Sequence, residues 1–422
     1  MAARSALGGS DVKATETNLL TLLKKSEQFI IPIYQRTYSW TRKECQQLLD
    51  DIFRAGENNQ VRAHFVGSFV YIEKGLYSAT AHSPLMVIDG QQRLTTITLL
   101  LEALARRVGN AEPLDNFTAD KIRRYYLFDD LEEGDDRFKL LLTQTDKETL
   151  LAIVQQQPVP AEHSVRIAEN LDFFVQAIEG IPEDRLHQLW IGVSKLTAVD
   201  IALDRDQDNP QLIFESMNST GLDLSQADLI RNYVLMGLEP SHQASLYEHH
   251  WRPMELGFSQ QSYSTNFDGF MRHYLTVKTG DIPKISAVYE AFKSHASQPE
   301  VETEGIDALV QDLKAYSRYY CAFALDAEKD ADLAEAFRDL RELRADVVYP
   351  LLLELYADYQ NDVLPHDDLV AAVRLIEAYI FRRAICAIPT NSLNKTFANF
   401  SKGLSKDRYL ESIEASFQLL PS

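Results

Sequence analysis

The chain has 422 residues, 45% hydrophobic and 25% charged, which fits about two or three globular domains and excludes collagenous and wholly disordered classes. No run approaches the ~18 apolar residues of a membrane-crossing helix. With 42 Lys+Arg against 62 Asp+Glu, a formal net charge of -20 opposes broad contact with phosphate backbones, so any DNA contact is expected in a small basic pocket.

Residues 1–14 are small and polar and are expected to be disordered. Aromatic and β-branched residues then predict strands over Phe29–Gln35, His64–Lys74 and Leu85–Gly90. Between the first two, Cys45, Leu48, Leu49, Ile52 and Phe53 recur at helical spacing. Thr41 with Glu44 has the spacing of a capping box, and Trp40 with Cys45 that of a hydrophobic staple. After Gly90, LTTITLLLEALARR reads as a deeply buried helix. Gln155–Glu162 reads as a linker, beyond which nearly everything is expected to be helical. There, a loop over Asn218–Asp223 feeds a helix from Gln226, with Ser225 as N-cap, Asp228 at its third position and Leu224 with Leu229 as a staple. Ser297–Gly305 reads as a solvated connector. The expected fold is α+β: an N-terminal domain over 15–155 with a few short strands, followed by a mostly α-helical domain over 163–420.

Chemistry concentrates in Val87–Thr96. A strand ending at Asp89, a turn at Gly90 and a helix start form an anion site from backbone N–H groups and the helix dipole. Arg93 can fork onto phosphate oxygens, and Gln91 and Gln92 can orient a water or read a base edge. The same residues also fit a plainer role, with Asp89 capping the helix and Arg93 pairing with an acid. A second segment, Pro32–Trp40, places Tyr34, Gln35 and Arg36 just after a strand, where Arg and Gln suit phosphate or base recognition. Tyr38 and Trp40 there also fit core anchors. In the third, Gly67 interrupts a strand, as at a bulge or a close backbone approach, and His64 reads as a surface or packed histidine. Cys45, Cys321 and Cys386 are far apart with no CxxC, which excludes a disulfide framework or thiolate zinc cluster. With no apolar leader at the N-terminus, they point to a cytoplasmic protein without a membrane partner. No GxxxxGK[ST] loop is present, which excludes a P-loop mechanism.

The blocks IPIYQRTYSW, HFVGSFVYI and VIDGQQRLTTI, in this order and spacing, resemble the N-terminal domain family of GmrSD-type modification-dependent restriction systems, within the ParB/sulfiredoxin-like superfold. The likeness extends through Phe138–Leu140, Phe214–Leu222 and Arg382–Asn391. It implies an NTP-hydrolysing module of anti-phage defence, with GTP or another NTP as substrate and Mg²⁺ as cofactor. On this resemblance Asp89, Gln91, Gln92 and Arg93 are the expected catalytic element, with Asp89 as the metal ligand. Gly90, Arg36, Gly67, Ser68 and Thr95 are expected at the nucleotide and phosphates, and Tyr34, Gln35 and Arg36 in a modification-sensing pocket. Asn218, Thr220, Arg382, Arg383 and Asn391 are secondary candidates, for which turn, cap or surface ion-pair roles serve equally.

Expected partners are DNA carrying a phosphorothioate, hydroxymethyl or glucosyl mark, an HNH nuclease domain or subunit, and a second copy of the chain in a homo-oligomer. The ten His are scattered, His249–His250 among them, so the nuclease is expected outside this sequence. The rival expectation is a non-catalytic module that binds modified DNA and regulates a nuclease. A third is an interaction protein whose helical half docks a partner.

Overall fold

The computed structural model describes residues 13–26, 28–73, 84–109, 118–204, 210–218, 224–258, 263–388 and 393–420. Of the stretch expected to be disordered, residues 13 and 14 instead open strand β1 (Lys13–Asn18), and the remainder lies outside the described residues. Asn18 ends β1 and caps α1 (Leu19–Lys25), its side chain accepting from the Thr21 N–H at 3.1 Å. The expected strand at 29–35 is only two residues long, β2 (Phe29–Ile30). Pro32 has no N–H to donate to a ladder, and the Gln35 N–H turns back onto the Pro32 carbonyl at 2.9 Å. The capping box forms as the spacing requires. Glu44 accepts from the Thr41 N–H at 2.7 Å, the Thr41 hydroxyl accepts from the first turn, and α2 runs Arg42–Glu57.

Strands β3 (His64–Glu73) and β4 (Leu85–Asp89) pair antiparallel. α3 (Gln91–Val108) follows β4, then α4 (Ala119–Tyr126), β5 (Leu140–Leu141), α5 (Gln144–Val154), α6 (Val165–Glu179) and α7 (Glu183–Ser194). The chain then returns to the sheet as β6 (Leu196–Asp204), a strand within the region expected to be helical, and α8 (Pro210–Asn218) follows. The sheet is mixed, in the order β1-β6-β3-β4-β2-β5. β6 runs antiparallel to β1 and parallel to β3, and so joins the two in the ladder.

This insertion moves the domain boundary. The chain divides into two compact units, Met1–Leu222 and Asp223–Ser422, rather than at the Gln155–Glu162 linker. That segment only joins α5 to α6, and both sides of it belong to one core: α6 packs on α3, and α7 on α2. The architecture is thus α+β followed by a helical region.

α3 is the central strut. Leu94, Ile97, Leu99, Leu100, Leu101 and Leu104 are all at most 1% exposed. Glu102 among them is fully enclosed, and burying a carboxylate this way costs several kcal/mol unless it is paired. Arg106 Nε donates to it at 2.8 Å, and Arg123 of α4 donates through Nε and Nη2, both at 3.1 Å. Replacing Glu102→Ala leaves two guanidinium groups without their acid, and on the order of 3 kcal/mol of stability is expected to be lost. Urea unfolding followed by circular dichroism measures this, and a loss below about 1 kcal/mol contradicts it.

The second unit is held by an aromatic core in which Trp251, Phe258, Phe267, Phe270 and Tyr274 are buried. Ser225 caps α9 (Gln226–Leu235), accepting from the Asp228 N–H at 3.1 Å as its spacing indicated. Asp228 and Glu255 then neutralise the buried Arg231 at 3.0 and 2.6 Å. The expected connector at 297–305 contains a short helix, Pro299–Glu304, with proline at its start, where a missing N–H costs nothing. No described helix is long and apolar enough to cross a membrane.

Candidate functional site

The site is the passage from β4 to α3. Gly90 takes a left-handed backbone, φ 99° and ψ 3°, which lets an extended strand become a helix in one residue. A Cβ there would lie 2.5 Å from Phe69 Cδ1, so packing and conformation both demand glycine. Having no side chain, Gly90 leaves α3 without a side-chain cap. Among the described residues no acceptor is bonded to the backbone N–H groups of Gln91, Gln92 or Arg93. These amides and the positive end of an 18-residue helix dipole converge on one spot.

Arg93 closes the near wall. Its Nη2 donates to Asp89 Oδ2 at 3.1 Å, its Nη1 donates to the Val66 carbonyl at 3.1 Å, and the guanidinium lies over the Phe69 ring at 5.6 Å. The seat exists because β3 carries a bulge. Phe65 pairs with Thr197 and Ser68 with Val199, so Val66 and Gly67 together face Ala198. Gly67 takes φ 107°, and a Cβ on it would lie 1.6 Å from Arg93 Nη1. The close approach that Gly67 signals in sequence is therefore made by Arg93. Of the two plainer roles weighed for this turn, Asp89 does not cap α3, whereas Arg93 does pair with an acid, Asp89 itself. Ser68 Oγ lies 3.5 Å from the same Oδ2, and Asp89 Oδ1 has no hydrogen-bond partner among the described residues.

The segment carrying Tyr34, Gln35 and Arg36 lies against this turn. Gln91 Nε2 donates to Gln35 Oε1 at 3.1 Å, and Gln35 Nε2 donates to the Ile88 carbonyl at 2.9 Å. Gln92 is buried, and its Oε1 accepts from the N–H groups of Ser39 at 2.8 Å and Trp40 at 3.3 Å. Gln92 thus holds the segment in place. Thr95 is buried too, its hydroxyl donating to the Gln91 carbonyl at 2.9 Å, so it does not face the turn. Tyr34 and Gln35 are each 4% exposed, and burial raises the Tyr34 pKa. Arg36 is half-buried, and among the described residues it has no ion-pair partner.

Tyr38 is a core anchor. Its hydroxyl meets Thr96 Oγ1 at 2.7 Å and accepts from Asn170 Nδ2 at 3.1 Å, and burial raises its pKa. Burial pushes the neighbouring Cys45 thiol up to about 11, so it stays protonated. Asp146, buried and also raised by desolvation, accepts from the Tyr38 N–H. Asp146 and Asn170 carried no local signal in sequence, because both act on this segment from more than 100 residues away.

Of the secondary candidates, only Arg382 and Arg383 have described side chains. Asn218 ends α8, and its side chain, Thr220 and Asn391 lie outside the described residues. In the second unit Arg382 is exposed and donates to the Ala378 carbonyl at 3.1 Å. Arg383 is buried, with Nη1 donating to the Tyr379 hydroxyl at 3.2 Å, which removes it from any surface contact. Asp330, Asp332 and His366 lie close together in the same unit. Asp330 there caps the helix Ala331–Glu342, and His366 bonds both Asp330 and Asp367.

Fold and turn together define an α+β module with a helix start that has no side-chain cap and is flanked by the Arg93 guanidinium. A family model described as the GmrSD restriction endonuclease, N-terminal domain, matches residues 19–235, just over half of the chain. The protein belongs to that family, and so to the components of restriction systems. The match runs through the Gln155–Glu162 segment and β6 to the last residue of α9. No curated protein matches the chain.

The seat of Arg93 makes a direct prediction. Gly67→Ala forces Arg93 off Val66 and strains the backbone, at an expected cost of about 1–3 kcal/mol. Adding Arg93→Ala removes the clash, so the double variant is expected to be more stable than Gly67→Ala alone. Urea unfolding of the three proteins checks this, and a Gly67→Ala variant as stable as wild type refutes the seat.

Proposed function

We propose that the turn from β4 into α3 binds the phosphates of a nucleoside triphosphate, GTP favoured on the family resemblance, and hydrolyses it. Through this turnover the chain regulates the restriction of modified DNA by a nuclease partner. The observation that carries this reading is the open helix start: three backbone N–H groups with no acceptor among the described residues, beside Arg93, with Arg36 next in sequence to the Gln35 that Gln91 bonds. This cluster of positive potential lies in a protein whose formal charge is -20.

Hydrolysis needs a water oxygen to bond to the γ-phosphorus while the bond to the β-phosphate oxygen breaks. The products are nucleoside diphosphate and phosphate, and the water proton passes to a phosphate oxygen. Charge accumulates on the phosphoryl oxygens on the way, and fixed donors aimed there lower the barrier without reorganising. The first-turn amides and Arg93 supply such donors, and Arg36, half-buried on the segment that packs on the turn, is the second guanidinium assigned to the phosphates. Gln91, half-exposed, orients the water. Gln92, Gly67 and Gly90 hold the frame.

Asp89 fits a Mg²⁺ ion bound mainly by phosphates. Such an ion takes one or two carboxylates from the protein, and Asp89 Oδ1 is unengaged among the described residues. Bound there, the ion would neutralise phosphate charge.

Modified DNA enters this reading as an allosteric partner whose binding alters turnover. Of Tyr34, Gln35 and Arg36, the residue that meets solvent is Arg36, which favours recognition through charge over burial of a base against Tyr34.

Phosphate release from GTP and from ATP, with and without phosphorothioated, hydroxymethylated or glucosylated duplex, tests the proposal. Arg93→Ala is expected to lower turnover by roughly 100-fold or more while circular dichroism shows the fold retained. Unchanged turnover in that variant removes the assignment.

A further inference from the structure

We propose that Gln35 is a positioning residue for Gln91, fixing which end of the Gln91 amide faces the attacking water; this rests on the hydrolytic reading above. The argument is one of donors and acceptors. The Ile88 carbonyl can only accept, so the Gln35 end facing it at 2.9 Å must be the NH₂ group. Gln35 is 4% exposed, and its amide has no room to settle otherwise without leaving a buried carbonyl opposite another. Its own carbonyl is thereby committed to Gln91, which must present its NH₂ across 3.1 Å.

The consequence falls on the other end of Gln91. Its Oε1 accepts nothing among the described residues, and it is the end left for solvent. An acceptor oxygen takes a hydrogen bond from an O–H of the water and leaves the water's lone pair for phosphorus. A flipped amide would donate into that lone pair and blunt the nucleophile. The chain from Ile88 through Gln35 to Gln91 therefore sets a polarity as well as a position. It spans 56 residues of sequence between the two glutamines.

This assigns Gln35 a role distinct from reading a DNA mark. A residue that reads DNA must expose its amide, whereas both ends of this one are used inside the protein.

The test is a double-mutant cycle on the full chain with GTP and ATP. Gln91→Ala is expected to lower kcat by roughly 100-fold, and Gln35→Met by roughly 10-fold with KM within about twofold of wild type. The double variant is expected to match Gln91→Ala, since an unpositioned glutamine that is already absent cannot be missed. Gln35→Glu serves should Gln35→Met fail to fold. Its protonated form restores a donor toward Ile88, so its kcat relative to wild type is expected to rise as pH falls. Multiplicative losses in the double variant, a change confined to KM, or a flat pH ratio for Gln35→Glu overturns the role of Gln35 alone. A wild-type protein that releases phosphate from neither nucleotide overturns the hydrolytic reading and this one with it.

Discussion

Arg93 sits where a side chain on β3 would otherwise be, and the geometry of the turn follows from that exclusion. Gly67 vacates the space, the bulge at Val66–Gly67 presents a carbonyl to the guanidinium, and Asp89 balances its charge from one helical turn away. Gly90 supplies the matching exclusion against Phe69. Two positive-φ glycines, one in the bulge of β3 and one just past the end of β4, thus allow a strand, a helix start and an arginine to share a few ångströms. A side chain at either position would collide, with Arg93 at Gly67 and with Phe69 at Gly90.

The segment before α2 depends on the same turn. Gln92 anchors it by accepting from two consecutive backbone amides, Asp146 takes a third, and Gln35 reaches back to β4. Four polar contacts replace the ladder that Pro32 ends. Each is modest by itself, about 1 kcal/mol net, but each leaves a buried group unsatisfied if broken, so the segment resists piecemeal release. Arg36 is carried on this braced segment, so its backbone is held by the same frame as the turn.

How much of this was legible in the residues divides along sequence distance. The capping box of α2, the Ser225 N-cap of α9, the turn at Gly90 and the buried face of α3 depend on neighbours within a few positions, and their residue types state the geometry directly. That Arg93 pairs with an acid was also readable, though not which one, since Asp89 reads as a helix cap instead. The Gln35–Gln91 bond was not, because both glutamines suited a ligand as well as each other. β6 was hidden for a different reason. Its run LTAVDIALD does not alternate apolar with polar residues, so it shows no period-2 pattern. A charged Asp200 at its centre, with Oδ1 enclosed and unbonded among the described residues, argues against a strand when read alone. Missing β6 led to a boundary at the Gln-Pro linker, although the helices on either side of it share one core.

The place of β6 also bears on how the protein is made. β1 leaves the ribosome first, yet its ladder partner is the last strand of the sheet to be synthesised, and β3 waits for the same strand on one edge. At typical translation rates of about 5–20 residues per second, the amino-terminal segment spends roughly ten seconds or more without its native neighbour. The nascent sheet therefore stays open between β1 and β3 until residue 204 has emerged.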